Sequence, residues 1–190
     1  MLSAPFRFDE LDHSYTDTSG RVVSITGLLA VGGWTTDEWY TEESSERGKA
    51  VHKLTADYDL GAIGPRDAVP EYAGYLAAHV TLDRIVKPRW RHVEVPAVHR
   101  TIRFAGRCDR VGYVFNRGAV LEVKSGAEEK GHPIQTALQA ILAADELALP
   151  AETIDRYAAY YSASGRYKLK QHTNSQDFVE ARKLLAKYAR

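Results

Sequence analysis

One segment constrains the fold of this chain more than any other: residues 103–149, which alternate between apolar and polar residues and then become helical. Residues 103–115 alternate and are rich in aromatic and β-branched residues, which predicts a strand. Asn116-Arg117-Gly118 is a turn signal, and residues 119–124 predict a second strand. Pro133 suits the first turn of a helix that ends before Pro150. The segment therefore predicts a β-hairpin followed by a helix.

The hairpin carries charged residues at positions that a purely structural hairpin would not need. Glu122 and Lys124 lie two residues apart, so their side chains point to the same face of the strand. Asp109 on the partner strand joins that face if the loop has an even number of residues, such as Arg117-Gly118 alone. An odd loop without a bulge would put Asp109 on the other face. We expect the shared face, with the Glu122 carboxylate exposed.

Two converging carboxylates repel each other unless a cation lies between them. Carboxylate oxygens suit a hard divalent cation such as Mg²⁺ or Mn²⁺. A cation held by Asp109 and Glu122 can lower the pKa of water and stabilise phosphate charge, and Lys124 can hold that water or a phosphate oxygen. This arrangement is typical of phosphodiester hydrolysis. The alternative is an exposed edge hairpin with an ordinary Glu–Lys pair and a distant aspartate.

The order Asp109, then Glu122-Val123-Lys124, then Gln135 resembles the PD-(D/E)XK nuclease superfamily. The most similar branch contains the RecB-like and phage exonucleases, whose pattern is G-x-x-D, then D/E-x-K, then a helix that begins with glutamine. The resemblance implies an α/β fold with a restriction-endonuclease-like core, in which helices flank a central mixed β-sheet. We expect residues 1–190 to form a single nuclease domain.

The resemblance also implies roles for individual residues. Asp109, Glu122 and Lys124 would be catalytic, and the Val123 carbonyl would join Asp109 and Glu122 as a metal ligand. Gln135 would touch the substrate strand or orient a group of the site. The family often carries a tyrosine one turn later, where this chain has Gln139.

A predicted helix at residues 42–59 contains the sequence Arg47-Gly48-Lys49-Ala50-Val51-His52. Glycine inside a helix costs about 1 kcal/mol relative to alanine, so Gly48 calls for an explanation. It lies one turn before His52, where a bare surface would let a nucleotide come close. The segment resembles the R-G-x-x-x-H element of RecB-like nucleases. The resemblance implies that His52 ligates the metal and that Arg47 and Gly48 bind the substrate, whereas a lone helical histidine is more often structural.

Glu94 lies between two valines in a predicted strand at residues 91–99. In the phage-exonuclease branch a glutamate on this strand joins the metal site, so the resemblance adds Glu94 to the ligand set. The simpler alternative is an outward glutamate on an edge strand, a location that Pro96 would tolerate.

The C-terminal part of the chain is basic, with eight Lys and Arg residues between positions 156 and 190. In a predicted hairpin at residues 154–170, tyrosines interleave with Arg166, Lys168 and Lys170, which suits contact with a nucleic-acid strand. Tyrosine is equally a good strand former. The formal net charge of zero gives no support for bulk attraction to nucleic acid.

Composition excludes several classes of site and protein. Cys108 is the only cysteine, so there is no internal disulfide and no cysteine-built zinc or iron–sulfur site. No apolar run is long enough for a membrane span, and the N-terminus has no apolar signal-peptide core. We therefore expect a cytoplasmic protein with no membrane partner.

Together these features predict a Mg²⁺- or Mn²⁺-dependent deoxyribonuclease, with an exonuclease of phage-type recombination or repair favoured. Its substrate would be linear duplex or single-stranded DNA. The alternatives are an endonuclease directed by DNA structure or sequence, and a non-catalytic nucleic-acid-binding module of the same fold. The resemblance further implies a single-strand annealing protein as a partner and leaves open an oligomer, such as a ring.

Overall fold

The computed structural model describes residues 5–10, 12–35 and 41–189. Its elements in chain order are β1 (Arg7–Asp9), β2 (Ser14–Asp17), β3 (Gly20–Ser24), α1 (Ile25–Val31), α2 (Glu42–Asp59), α3 (Ala73–Val86), β4 (Arg89–Val98), β5 (Phe104–Val114), β6 (Arg117–Lys124), α4 (His132–Leu147), a 3₁₀ turn (Ala151–Thr153), β7 (Asp155–Tyr161), β8 (Tyr167–Gln171) and α5 (Gln176–Tyr188).

One sheet contains the strands in the order β1-β2-β3-β5-β6-β7-β8, and β4 pairs with β5. The β3–β5 and β6–β7 pairs are parallel, whereas the other pairs are antiparallel. The sheet is therefore mixed, and the predicted α/β class with helices flanking a central mixed sheet is confirmed. Among the described residues, no helix combines the length and apolar character that crossing a membrane requires.

Apolar residues of successive strand positions fill two cores on opposite faces of the sheet. Val120 packs into a cluster with residues of α1, α4 and α5, including Leu28 and Leu138. Its neighbour Leu121 packs into a second cluster with residues of α2 and α3, including Val51. Because side chains alternate along a strand, a strand covered on both faces needs apolar residues at consecutive positions. This double burial leaves β6 with one buried charged residue, Glu122, between its apolar neighbours.

The β5–β6 hairpin has the predicted parity but a different loop. Val114 pairs with Arg117, so the loop is Phe115-Asn116, and the prediction of Asn116-Arg117-Gly118 as the turn was wrong. Both loop residues have positive φ values, 49° and 63°, as tight hairpin turns require. Gly118 lies in β6, where an added Cβ would come within 2.4 Å of Leu149 Cδ1. Packing against Leu149, and not the turn, therefore requires glycine at this position.

The sequence also predicts that Ser24 or Thr26 starts a short helix, that Pro70 opens another helix and that Ser175 caps the last one. The structure agrees in part. Ser24 caps α1 by accepting a hydrogen bond from the Gly27 amide. Ser175 precedes α5 without a side-chain cap; the Asn174 side chain accepts the Gln176 amide instead, at 3.0 Å. Helix α3 begins at Ala73 rather than at Pro70, because residues 70–72 form a preceding turn.

Candidate metal centre

Helix α2 positions His52, and its predicted bounds are confirmed. A capping box fixes the start of the helix: the Thr41 hydroxyl accepts the Ser44 amide, and the Ser44 hydroxyl accepts the Thr41 amide. The helix buries Val51 and Thr55 against the rest of the protein. His52 lies beside this buried face with 26% of its side chain exposed. The helix therefore presents the imidazole at the border between core and solvent.

Three elements bring His52, Glu94 and Asp109 into one cluster. His52 Nδ1 lies 3.2 Å from Glu94 Oε1 and 3.3 Å from Asp109 Oδ1. One potential ligand atom from each residue lies within 4.8 Å of the other two. An imidazole nitrogen and two carboxylate oxygens at this spacing are a donor set that suits a divalent cation. The residues present could therefore hold a divalent cation.

The backbone of β4 is irregular at Glu94, which has a φ of +52°. Val93 pairs with Arg110 and Val95 pairs with Cys108, but Glu94 itself takes no place in the ladder. Any residue with a Cβ pays an energetic cost in this backbone region, and such residues concentrate at functional sites. The irregularity turns the Glu94 carboxylate toward His52, so this glutamate belongs to the cluster and does not simply face outward from an edge strand.

The electrostatics of the cluster favour a cation. Burial by itself would lower the pKa of His52, but the charges and hydrogen bonds of Asp109 and Glu94 raise it well above its ordinary value, with Glu122 adding to the effect. An imidazole whose pKa is raised by surrounding carboxylates marks a site of strong negative potential. A divalent cation would satisfy the same carboxylates.

The Glu122 carboxylate is not exposed, contrary to the expectation from sequence, because α4 covers it. Glu122 is only 3% exposed. Its Oε1 accepts hydrogen bonds from Gln135 Nε2 at 2.6 Å and from Lys124 Nζ at 2.9 Å, and its Oε2 accepts one from Gln139 Nε2. Lys124 Nζ also donates to Gln135 Oε1 at 3.0 Å. These donors fix the Glu122 carboxylate without a cation.

Asp109 joins the two strands of the hairpin at the point where their ladder ends. The last pair in the ladder is Arg110 with Leu121, so Asp109 and Glu122 are not paired between the two strands. Asp109 contacts His52 of α2, whereas the Glu122 carboxylate is bound by α4, which covers the other face of the sheet. In place of a backbone partner, the Val123 amide donates to Asp109 Oδ2 at 2.7 Å. The other oxygen of Asp109 is left to face His52. Val123, predicted as a ligand through its carbonyl, also contributes to the wall of the adjoining cleft.

A cleft of about 990 Å³ opens over the cluster. His52 and Glu94 lie on its wall, as do Arg47, Gly48 and Lys124, all of which were predicted for the site. A Cβ on Gly48 would meet nothing closer than Ser125 Oγ at 4.0 Å. The packing of the protein itself does not require glycine at this position. A bare helix surface here leaves room for a molecule in the cleft.

The three predicted substrate-binding residues in and just before β8 differ in whether they reach the loop that borders the cleft. Lys168 and Lys170 both bind Glu128, a residue of the loop that borders the cleft. Arg166 precedes β8 and donates from Nε to Ser164 Oγ at 3.1 Å. It does not contribute to the cleft wall, whereas the two lysines reach the loop that does.

Sequence reasoning missed three residues around the site. Arg107 Nε lies 3.1 Å from Glu94 Oε2 and borders the cleft. Arg110 is fully buried beside the cluster, and Gln139 binds Glu122. A signal existed for each. Arg107 and Arg110 flank Asp109 in sequence, and Gln139 lies one helical turn after Gln135, on the same face.

The likeness of this chain to a known protein lies in its fold and not in its sequence. No protein-family model matches this chain. No curated protein matches it by sequence. A solved structure that it resembles is that of a protein from Eubacterium rectale named "Putative exonuclease". The TM-score is 0.53 with 10% sequence identity, and the alignment covers 88% of this chain and 78% of the other. This chain shares its fold with that protein, and at such low identity the likeness shows the fold alone.

Proposed function

We propose that this chain is a divalent-cation-dependent deoxyribonuclease of the PD-(D/E)XK type. The observation that carries the proposal is the cluster of His52, Glu94 and Asp109, two of which, His52 and Glu94, line an open cleft. Lys124, which pairs with Glu122, lines the same cleft. The predicted ligands come from three separate elements, and chance rarely brings such a set together. The shared fold with a protein named as an exonuclease supports the same reaction class.

In this mechanism His52, Glu94 and Asp109 would hold Mg²⁺ or Mn²⁺, and Glu122 would add to the negative charge of the site. When bound, the cation would lower the pKa of water and neutralise phosphate charge. Lys124 Nζ, fixed by Glu122 and Gln135, orients the attacking water. Water adds to phosphorus and the bond from phosphorus to the leaving oxygen breaks. The water gives up its protons, one of which passes to solvent, while the leaving oxygen takes up a proton and departs as a hydroxyl group.

The DNA strand would lie in the cleft. Arg47, Lys49 and Arg107 border it and offer cations to the phosphates. Gly48 would let the backbone of the strand approach α2. Lys168 and Lys170 would extend this track once phosphate groups compete with Glu128 for them. An exonuclease of recombination or repair type is the favoured form.

The first test is digestion of linear duplex DNA with Mg²⁺, with Mn²⁺ and with chelator. We expect cation-dependent loss of DNA by the wild type and a loss of at least about 100-fold in rate in Lys124→Ala. Lys183→Ala is the matched control, because this lysine also pairs with a glutamate but lies on α5. It should cleave like the wild type.

Two outcomes would change the proposal. Cleavage that survives both chelator and Lys124→Ala would contradict the mechanism. Binding of DNA without cleavage of any linear, single-stranded or circular substrate, under either cation, would favour a non-catalytic binding module. Digestion of closed circular DNA would identify an endonuclease, since an exonuclease needs an end.

A further inference from the structure

Arg110, the residue after Asp109, is completely buried and is connected to every member of the metal cluster. Its Nη1 donates to the Asp109 carbonyl at 2.7 Å and lies 3.4 Å from Glu94 Oε1. Its Nη2 donates to Thr55 Oγ1 at 3.1 Å, and the Thr55 hydroxyl in turn donates to the His52 carbonyl at 3.1 Å. One guanidinium therefore connects α2, β4 and β5 at the point where their ligands meet.

The same guanidinium fixes α2 through a second residue of that helix. Arg110 Nε forms a short hydrogen bond to Asp59 Oδ2, and both side chains are shielded from solvent. Thr55 and Asp59 follow His52 at three and seven positions, so the three residues share one face of α2. A planar fork that binds two residues of this face fixes the rotation of the helix as well as its distance from β5.

A buried network keeps Asp59 available to Arg110. The other oxygen of Asp59 accepts a hydrogen bond from His79 Nε2 at 2.9 Å, and His79 Nδ1 lies 2.8 Å from the Tyr161 hydroxyl. Burial by itself would raise the pKa of Asp59, but the hydrogen bond and charge of His79 and the charge of Arg110 lower it. Asp59 is therefore ionised and forms a fully charged pair with Arg110.

The Arg110 network also holds Glu94 in place. The left-handed backbone conformation of this glutamate is strained for a residue with a Cβ and persists only where the surroundings impose it. Arg110 contacts Oε1 of this carboxylate, and Arg107 contacts Oε2 at 3.1 Å. Two guanidiniums thus fix both oxygens of the strained residue.

We propose that Arg110 is a positioning residue, which with Asp59 and Thr55 preorganises His52, Glu94 and Asp109 to bind a divalent cation. The inference rests on the proposed function, since it deepens the account of the same cation site. The inference predicts a change in cation affinity that is opposite in direction to the change expected from charge alone. By charge alone, removing a nearby guanidinium should strengthen the binding of a cation, whereas removing a positioning residue should weaken it.

The test replaces the pair together, as Arg110→Met with Asp59→Asn, so that no unpaired charge is left buried. The asparagine side chain introduced by the second substitution retains an oxygen for His79. The matched control is Arg156→Met with Asp177→Asn, a second buried ion pair, which holds α5 and whose arginine also donates to backbone carbonyls, those of Pro133 and Asn174. Calorimetry measures the affinity for Mn²⁺ and Mg²⁺, and urea unfolding measures the stability of each variant.

We expect the Arg110/Asp59 double variant to bind Mn²⁺ about 10- to 100-fold more weakly than the wild type, and the control to bind it like the wild type even if both lose stability. Arg110→Lys serves as a second variant, because it keeps the charge and loses the fork. It should remain at least about 10-fold weaker than the wild type.

Four outcomes would overturn the inference. Wild-type affinity in the Arg110/Asp59 variant, or an equal loss of affinity in the control, would return the pair to a purely structural role while the proposed function stands. Full affinity in Arg110→Lys would mean that the guanidinium fork is not needed to position the ligands. A wild-type protein that binds neither cation would instead contradict the proposed function itself, together with this inference.

Discussion

Glu122 illustrates at the scale of single residues how a buried carboxylate is accommodated. An unpaired carboxylate in a protein interior is costly, and it is tolerated when hydrogen-bond donors surround it. Gln135, Gln139 and Lys124 supply those donors. Gln139 stands where the family pattern often has a tyrosine, and its amide reaches the carboxylate oxygen that the other two do not.

Replacement of Gln139 by leucine should therefore lower kcat at least about 10-fold. Leucine preserves the volume in the core, so folding should be largely retained, but Glu122 Oε2 loses its donor and the carboxylate can turn. Steady-state cleavage kinetics would show the loss. Gln176→Leu, which removes a similar Gln–Glu contact on the exposed face of α5, is the control. Unchanged kcat in Gln139→Leu would mean that Gln135 and Lys124 suffice to hold Glu122.

The β5–β6 hairpin is the element on which the site depends, and its loop is not optimal. Phe115 has a positive φ, which suits glycine or asparagine, and its side chain is 66% exposed. An aromatic ring this exposed compensates little for the strain. The loop nevertheless sets the register in which Arg110, the residue after Asp109, pairs with Leu121, the residue before Glu122.

Substitution of Phe115 by asparagine should raise the free energy of unfolding by about 0.5–1 kcal/mol. Asparagine tolerates the left-handed region, and an exposed phenylalanine contributes little burial. Urea unfolding measures the gain, and cleavage kinetics should not change because the register is retained. Phe115→Ala is the control: alanine removes the aromatic ring but keeps the strain, so equal stabilisation by alanine would contradict this account.

At the scale of the whole molecule, the buried polar groups behind the site make stability depend on pH. His132 and His172 are both buried; their Nδ1 atoms contact the Tyr160 hydroxyl at 2.8 Å and the Thr136 hydroxyl at 2.9 Å. Burial, aided by the charge of Lys124, lowers the pKa of His132 to about 4. Burial and the charge of Arg156 lower the pKa of His172 to about 4 as well.

The direction of the effect follows from linkage. An unfolded histidine has a pKa of about 6.5, so between about pH 6.5 and 4 the unfolded chain binds more protons than the folded one, and stability falls as the pH drops. From about pH 7.5 to 5.0 we expect each histidine to cost on the order of 2 kcal/mol. The raised pKa of His52 acts above about pH 6.5 and in the opposite sense. Its contribution is common to the wild type and to variants of the other two histidines, so it cancels when they are compared.

Urea unfolding of the wild type, His132→Gln and His172→Gln at about pH 7.5 and pH 5.0 checks this prediction. Each variant should lose less stability than the wild type between the two pH values. The exposed His13→Asn serves as the control and should behave like the wild type. If all four proteins show the same pH dependence, the two buried histidines do not stay neutral in the folded protein.

The sequence by itself determined the local features of this protein. The alternation of residues in β5 and β6 predicted the hairpin and the even number of residues in its loop, because side chains alternate with a period of two. The helical pattern of residues 42–59 likewise predicted the helix that carries His52. These features depend on neighbours a few positions away, so periodicity reveals them even when the loop residues are assigned wrongly.

Only the tertiary structure decided how these elements meet. His52 and Glu94 are 42 positions apart, and no local rule gives their contact. The left-handed Glu94, the cover that Gln139 places over Glu122, and the Arg110 network all arise where α2, β4 and α4 pack against the hairpin. Packing sets such contacts because it fixes the distances between elements. Backbone strain and buried charge are tolerated only once those distances are fixed.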